Sequence, residues 1–225
     1  MGAEGDAKTN YAETLSYLFG LQRFGIKLGL ANITSLLKHM GDPHVGLPSV
    51  HIAGSNGKGS TAAFLTSILR QAGYRVGLYT SPHLVDFSER IQVDGAPIPT
   101  DLVVEFTERI REIVEKMTRD GELWMPSGPE VPPVGFDPQK NTITFFEFTT
   151  AMAFLHFRES KVDVAVLETG MQPVSTMRIS FSRPCFFSSA RKASRAARLP
   201  ELVQPVPVHS RTCVRTIAMR LTPAL

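Results

Sequence analysis

The sequence predicts an α/β protein built on a mostly parallel, P-loop-type sheet with helices on both faces. Short apolar strand patterns alternate with helical patterns along residues 49–168, which is the order expected of a parallel sheet covered by helices. A glycine-rich turn at residues 54–60 joins a strand directly to a helix. The last strand pattern, residues 162–168, is apolar at most positions, as expected for a strand buried on both faces.

Two helices are predicted before the sheet begins. Residues 11–21 place Leu15, Leu18 and Phe19 on one side of a short amphipathic helix. Residues 32–40 form a second helical pattern, in which Asn32 is the candidate N-cap and Gly41 lies near the end.

A βαβ unit follows these helices. Residues 49–53 form a short apolar strand, residues 59–71 a helix that Gly73 terminates, and residues 75–80 the next strand. The crossover of such a unit is expected to be right-handed.

The remaining elements complete the predicted domain. Residues 81–90 form an ordered surface loop, and residues 91–98 a small hairpin that turns at Asp94-Gly95. Residues 100–119 form a long helix. Residues 121–139, with five prolines and three glycines, form a loop. Residues 142–158 are apolar at helical spacing in their second half, and they lead into the strand at 162–168.

The chain changes character near residue 171. Residues 1–171 hold 15 Lys and Arg against 20 Asp and Glu, whereas residues 172–225 hold nine basic residues and a single acid. The net charge of +3 therefore combines an acidic region with a basic one. Residues 172–225 also show no strand alternation and no amphipathic helix longer than two turns. We predict a folded domain at 1–171 and a basic, disordered tail at 172–225.

Composition narrows the class of protein. No apolar run approaches the roughly 20 residues of a membrane helix, and the polar N-terminus carries no secretory signal. Cys185 and Cys213 show neither metal-site spacing nor a disulfide framework. These features predict a cytoplasmic protein that does not contact a membrane.

The turn at residues 54–60 reads Gly-Ser-Asn-Gly-Lys-Gly-Ser. Glycines let backbone N–H groups turn towards a phosphate, and a helix N-terminus adds partial positive charge. Lys58 would reach the β- and γ-phosphates of ATP, and the Ser60 hydroxyl would ligate Mg²⁺. The spacing departs from G-x-x-x-x-G-K-[ST], because Gly59 separates Lys58 from Ser60. A plain strand-to-helix turn with an exposed lysine is the alternative, but the flanking βαβ pattern favours mononucleotide binding.

Four segments, in this order and spacing, closely resemble the folylpolyglutamate synthase/dihydrofolate synthase family, the folate branch of the Mur ligases. They are HIAGSNGKGST, GYRVGLYTSPHLVDFSERIQVDG, TFFEFTTAMAFLHF and VDVAVLETG. The resemblance covers about residues 10–171. It implies a ligase in which ATP phosphorylates a carboxylate of dihydropteroate or of a folate. The amino group of L-glutamate then attacks the acyl phosphate.

The same resemblance implies the site residues. The ATP loop comprises Gly54, Ser55, Asn56, Gly57, Lys58, Gly59 and Ser60. The substrate side comprises Thr80, Ser81, Pro82, His83 and Arg90. Lys58 and His83 take catalytic roles, and Ser60 and Glu147 hold Mg²⁺.

Three of these assignments have structural alternatives. Glu147 is either the metal ligand or a helix-start acid that backbone N–H groups satisfy. Arg90 either contacts substrate or orders its loop. His83 by itself would more often be a surface histidine. Glu168, at the end of the last strand, lies where α/β sites collect functional groups, although such a carboxylate also caps helices.

The resemblance ends within two or three residues of Glu168. The family continues with G-G-R-[LF]-D-[AS]-T-N, whereas this chain continues Thr-Gly-Met-Gln-Pro-Val. Together with the change in charge, this predicts a reading-frame change near codon 171, a truncated domain with an unfinished sheet, and no ligase turnover.

Two alternatives stay open. One is a nonenzymatic nucleotide-binding module whose basic tail binds nucleic acid or another acidic partner. The other is a cell-wall Mur-type ligase, against which the Ser81-Pro82-His83 segment argues.

Overall fold

The computed structural model describes residues 3–25, 29–54, 56–125, 141–168, 178–182 and 214–218. The chain divides into two compact units. A helical unit comprises Met1–Val45 and Ile98–Arg158, and a sheet unit comprises Gly46–Pro97 and Glu159–Leu225. Within the described ranges, no helix is both long enough and apolar enough to cross a membrane.

The helical unit contains four α-helices among its described residues: α1 (Ala3–Gly20), α2 (Ala31–His39), α4 (Thr100–Arg119) and α5 (Phe145–Glu159). A short 3₁₀ helix, Leu21–Phe24, follows α1. α4 packs against α1 and α2 through a stripe at spacings of three and four residues, which is the period of one helix face. The stripe comprises Val103, Phe106, Ile110, Val114 and Met117.

α5 is apolar on most of its sides, and the ring of its Phe148 meets Tyr17 of α1 edge-on at 5.8 Å. Burial raises the pKa of the Tyr17 hydroxyl, and the nearby Arg111 acts in the opposite direction. These contacts give the helical unit a core of its own.

Among its described residues, the sheet unit contains a mixed sheet of seven strands in the order β4-β3-β2-β5-β1-β6-β7. The strands are β1 (Ser49–Ala53), β2 (Val76–Tyr79), β3 (Ile91–Val93), β4 (Ala96–Pro97), β5 (Val164–Glu168), β6 (Arg178–Ser182) and β7 (Val214–Ala218). β2, β5 and β1 run parallel, whereas the outer strands pair antiparallel. The α/β class is therefore confirmed.

The helix α3 (Lys58–Gln71) lies against β1, β2 and β5. Its Ala62 and Leu69 enter a cluster with Val50 and Ile52 of β1 and with apolar residues of β2 and β5. This packing fixes the direction in which α3 leaves the end of β1. It therefore sets the position of the glycine-lysine turn.

Most predicted elements lie where the sequence placed them. The strand at 49–53 and the helix at 100–119 have the predicted bounds, and Asp94 and Gly95 turn the hairpin with φ of 53° and 81°. The first helix is longer than predicted, because it already begins at Ala3. The predicted cap is wrong: α2 begins at Ala31, and the Asn32 side chain instead donates to the Thr142 carbonyl at 2.9 Å.

The tail contains strands that the sequence did not predict. β6 pairs with β1, and β7 pairs with β6. The expectation of no strand after residue 171 is therefore wrong for residues 178–182 and 214–218, and β1 is not an open edge of the sheet. The other residues of the tail lie outside the described residues, so their disorder stays a prediction.

Candidate functional site

The glycine-lysine turn runs from the end of β1 into the first turn of α3. Gly57 is the N-cap of α3 and has the left-handed φ of +75° that glycine adopts without steric cost. Its carbonyl accepts hydrogen bonds from the N–H and the hydroxyl of Thr61, at 3.0 and 2.8 Å. Asn56, Gly59 and Ser60 are exposed, and the first N–H groups of an α-helix have no partner within the helix. Ser55 of the predicted ATP loop lies outside the described residues.

Lys58 folds back over this turn. Its Nζ donates to the carbonyl of Gly54 at 2.8 Å, and Gly54 itself is buried. The ammonium group is thus held within the turn, where the partial positive charge of the helix N-terminus adds to it.

Glu168 is the last residue of β5 and pairs in register with Ile52, two residues before Gly54. Glu168 is 6% exposed, and its Oε2 lies 3.6 Å from the point where Gly59 would carry a Cβ. Burial raises the pKa of this carboxyl, while the Ser81 N–H that it accepts and the Lys58 ammonium act in the opposite direction. The carboxylate therefore lies between the glycine-lysine turn and the loop that begins at Ser81.

The sequence placed Glu168 where α/β sites collect functional groups, with a helix cap as the alternative, but did not include it in the predicted metal set. The signal that identifies it is its position on the strand next to β1, because parallel neighbours end at the same edge of a sheet. The order of strands decides which acid has that position. That order cannot be read from local patterns.

The loop at residues 81–90 is closed by its own acidic side chains. The Glu89 carboxylate accepts the N–H groups of Leu84, Val85 and Asp86 at 2.8, 3.2 and 3.1 Å. Asp86 in turn accepts the N–H and the hydroxyl of Ser88, at 2.9 and 2.6 Å, at the start of the 3₁₀ helix Phe87–Arg90. The predicted ordered loop is confirmed.

Arg90 and His83 meet at the base of this loop. Nε of Arg90 donates to Nδ1 of His83 at 2.8 Å, and Arg90 is 7% exposed. Burial lowers the pKa of the guanidinium, and Tyr79 acts in the opposite direction. The N–H of Thr80 donates to the Arg90 carbonyl at 2.9 Å, which joins the two ends of the loop. The loop-ordering alternative for Arg90 thus has direct geometric support.

Glu147 belongs to the helical unit. Its Oε2 accepts the N–H and the hydroxyl of Thr144 at 2.9 and 2.8 Å, and its own N–H donates to the Thr144 hydroxyl at 3.2 Å. This reciprocal pattern is a capping box at the start of α5. The geometry supports the helix-start alternative, and the metal-ligand role stays a prediction.

A cleft of about 660 Å³ lies elsewhere in the sheet unit, lined by Arg70, Tyr74 and Asp94 among others. Asp94 accepts the N–H of Val76 at 2.9 Å, and Asp163, which also lines the cleft, accepts the N–H of Arg75 at 2.8 Å. Both carboxylates thus bind the backbone, and the cleft includes none of the predicted site residues.

A strand, a glycine-lysine turn, a helix and an acid at the end of the neighbouring parallel strand define the class of P-loop-type α/β domains. Over 72% of its length, the chain is 43% identical to a probable bifunctional folylpolyglutamate synthase/dihydropteroate synthase of Haloferax volcanii and 37% identical to the dihydrofolate synthase/folylpolyglutamate synthase of Bacillus subtilis. Over this matched part, the chain is similar in sequence to members of the folylpolyglutamate synthase/dihydrofolate synthase family. No family model matched the chain.

Solved structures agree with this assignment. The folylpolyglutamate synthase of Thermotoga maritima is 38% identical over 73% of this chain, with a TM-score of 0.60. A folylpolyglutamate synthase solved as a complex with AMPPCP and folate is 33% identical over 72% of this chain, with a TM-score of 0.59. The chain covers 17% and 34% of the two relatives, and 34% and 35% of these structures. It therefore spans about a third of their length or less.

Proposed function

We propose that this chain supplies the ATP-binding part of a ligase that joins L-glutamate to dihydropteroate or to folates through an acyl phosphate. The observation that carries the proposal is the position of Glu168 between the glycine-lysine turn and the Ser81 loop. The Lys58 ammonium and the N-terminus of α3, which suit a nucleotide, thus lie at the same edge of the sheet as the proposed substrate-side loop at residues 81–90. The relative solved with AMPPCP and folate supports ATP and folate as the ligand pair.

In this proposal the triphosphate lies on the turn at residues 54–60, against the exposed N–H groups at the start of α3. The Lys58 ammonium would leave the Gly54 carbonyl, which it now contacts at 2.8 Å, for the β- and γ-phosphate oxygens. The contribution of the protein is positioning and neutralisation of charge on the transferring phosphoryl group.

The residues around the turn also fit Mg²⁺. Within the described part of the chain, no group of three or more His, Cys, Asp or Glu could hold a metal ion. Mg²⁺ needs no such cage, since it binds nucleotides through phosphate oxygens, water and one or two protein oxygens. The exposed Ser60 hydroxyl and the buried Glu168 carboxylate supply oxygens of that kind on either side of Gly59. When bound, Mg²⁺ would neutralise charge on the phosphates.

Thr80, Ser81, Pro82, His83 and Arg90 make up the proposed substrate side. Ser81 is held to Glu168 by its N–H, so this loop begins beside the phosphate end of the nucleotide site. A carboxylate of dihydropteroate or of a folate would lie there to receive the phosphoryl group. Location in the cytoplasm is part of the same proposal.

The ligase reaction belongs to a longer protein than the matched part of this chain. The relatives are about three or more times as long as the segment that matches them. We expect the 225-residue chain to bind nucleotide without glutamate-dependent release of ADP. We also propose the boundary near residue 171, where resemblance and charge change together. The deciding measurement is the gene sequence across codons 165–180, because another frame that encodes G-G-R-[LF]-D-[AS]-T-N would establish the frame change.

The nucleotide site is tested by calorimetric titration of the chain with ATP, with and without Mg²⁺. Glu168→Gln should remove most of the gain in affinity that Mg²⁺ provides and leave metal-free ATP binding nearly unchanged. Glu147→Gln is the matched control, since this carboxylate caps α5. If Glu147→Gln removes the Mg²⁺ effect and Glu168→Gln does not, the metal assignment reverts to Glu147. If the unaltered chain does not bind ATP, the proposed function is wrong.

A further inference from the structure

The hydrogen bond from Nε of Arg90 to Nδ1 of His83 determines which ring nitrogen of His83 carries a hydrogen. A guanidinium group has only donors and stays charged in proteins, so the Nδ1 that receives its N–H must offer a lone pair. A neutral imidazole carries one hydrogen, which then lies on Nε2. A hydrogen on Nδ1 would face the Arg90 N–H donor and leave it without an acceptor, and an imidazolium would in addition place two positive charges side by side.

We propose that Arg90 is a positioning residue that locks His83 as the Nε2–H tautomer, so that His83 acts as a neutral hydrogen-bond donor and not as a base. Arg90 is suited to this because it is buried at 7% exposure and its carbonyl is fixed by the N–H of Thr80 at 2.9 Å. The His83 ring also lies edge-on to Phe87, with ring centres 6.4 Å apart. The ring is thus constrained by a donor on one nitrogen and by an aromatic neighbour.

The loop that carries the His83 Nε2–H donor is linked to the glycine-lysine turn at residues 54–60. Ser81, two residues before His83, gives its N–H to Glu168, and Glu168 lies beside Gly59 and Lys58. The Arg90–His83 hydrogen bond and the Ser81–Glu168 interaction both lie within the sheet unit.

The consequence for chemistry rests on the proposed function. An Nε2–H donor suits an anionic oxygen, such as the substrate carboxylate that accepts the phosphoryl group. It does not suit removal of a proton from the amino group of L-glutamate, because the lone pair needed for that is already bound to Arg90. His83 would therefore orient the acceptor carboxylate, and the base would be another group.

The test is nuclear magnetic resonance of the full 225-residue chain with ¹⁵N-labelled histidine and arginine. We expect a pyridine-type shift for Nδ1 of His83, a pyrrole-type shift for Nε2, and a coupling across the hydrogen bond between Nε of Arg90 and Nδ1. The His83 signals are assigned by their loss in His83→Asn. A pyrrole-type Nδ1, or an imidazolium at neutral pH, overturns the proposal. These measurements need neither substrate nor an altered Arg90.

Two pairs of variants separate positioning from packing. Arg90→Met removes every donor and should produce a mixture of tautomers, whereas Arg90→Lys keeps a donor and should preserve more of the Nε2–H form. His83→Asn keeps an acceptor near the place of Nδ1, so the loop amide signals of Leu84 and Val85 should stay close to their original positions, whereas His83→Gln should shift them. An unchanged tautomer in a folded Arg90→Met chain overturns the role of Arg90. If Arg90→Met does not fold, the presence or absence of the Nε–Nδ1 coupling in the unaltered chain decides whether Arg90 donates to His83. If the chain does not bind ATP but the coupling is present, the proposed function is wrong and the assignment of the His83 tautomer is still supported.

Discussion

Two loops leave the same edge of the parallel strands, and they are built in opposite ways. The turn at 54–60 relies on glycine and exposes Asn56, Gly59 and Ser60. The loop at 81–90 is held by the Glu89 and Asp86 carboxylates, although Leu84 and Val85 are 91% and 88% exposed. A turn that binds phosphate must leave its N–H groups for the ligand, whereas a loop that orients one side chain can use its N–H groups internally. Substitutions in the first loop should therefore weaken ligand binding, and those in the second should disturb order.

The largest effect expected in this comparison is on nucleotide affinity at Lys58. Lys58→Ala removes the ammonium group that, in the proposed function, would contact the phosphates. A charge-assisted hydrogen bond is worth about 1.5–3 kcal/mol, so ATP should bind about 10- to 100-fold more weakly. Titration calorimetry measures the change. Lys116→Ala, at an exposed position of α4, is the control and should leave affinity unchanged. Equal losses in both variants would point to general electrostatics and not to this turn.

A smaller effect, on the free energy of unfolding, is expected when the backbone of the same turn is constrained by Gly57→Ala. Gly57→Ala puts a Cβ on a residue with φ of +75°, where no heavy atom lies within 4 Å of that Cβ. The cost is therefore conformational and about 1–2 kcal/mol in the free energy of unfolding. The urea midpoint measures it, provided that the dependence on urea keeps its slope. Gly20→Ala is the matched control, because Gly20 has helical φ and ψ and also has open space around it. A Gly57→Ala chain as stable as Gly20→Ala would contradict the left-handed N-cap.

These two loops also show what the sequence could and could not predict. The strand–turn–helix order around Lys58 follows from local patterns, since apolar alternation, glycine and helix period are all properties of neighbouring residues. The sequence also predicted the capping role of Glu147 as an alternative, because an acid at the start of a helix is likewise a local pattern. The contact of Arg90 with His83 and the place of Glu168 beside Gly59 depend on how the loop closes and which strands are neighbours. The cap assigned to Asn32 failed because a long-range partner, the Thr142 carbonyl, binds its side chain.

The smallest effect is expected in the second loop and depends on pH. Hydrogen bonds from Leu84, Asp86 and Val85 lower the pKa of the Glu89 carboxyl below its ordinary value of 4.5. A carboxyl whose pKa is lower in the folded state adds stability above the ordinary value, and this stability is lost as pH falls through the lowered one. The loop should therefore stay ordered at neutral pH and loosen only in acid below 4.5, which the amide shifts of Leu84 and Val85 measure. In Glu89→Gln the same amides should show the loosened shifts at every pH, because a neutral amide oxygen accepts N–H groups more weakly than a carboxylate. Because Glu89 is only partly buried, the change in global stability should be slight. A loss as large as that of Gly57→Ala would mean that the two loops are not built as differently as their contacts indicate.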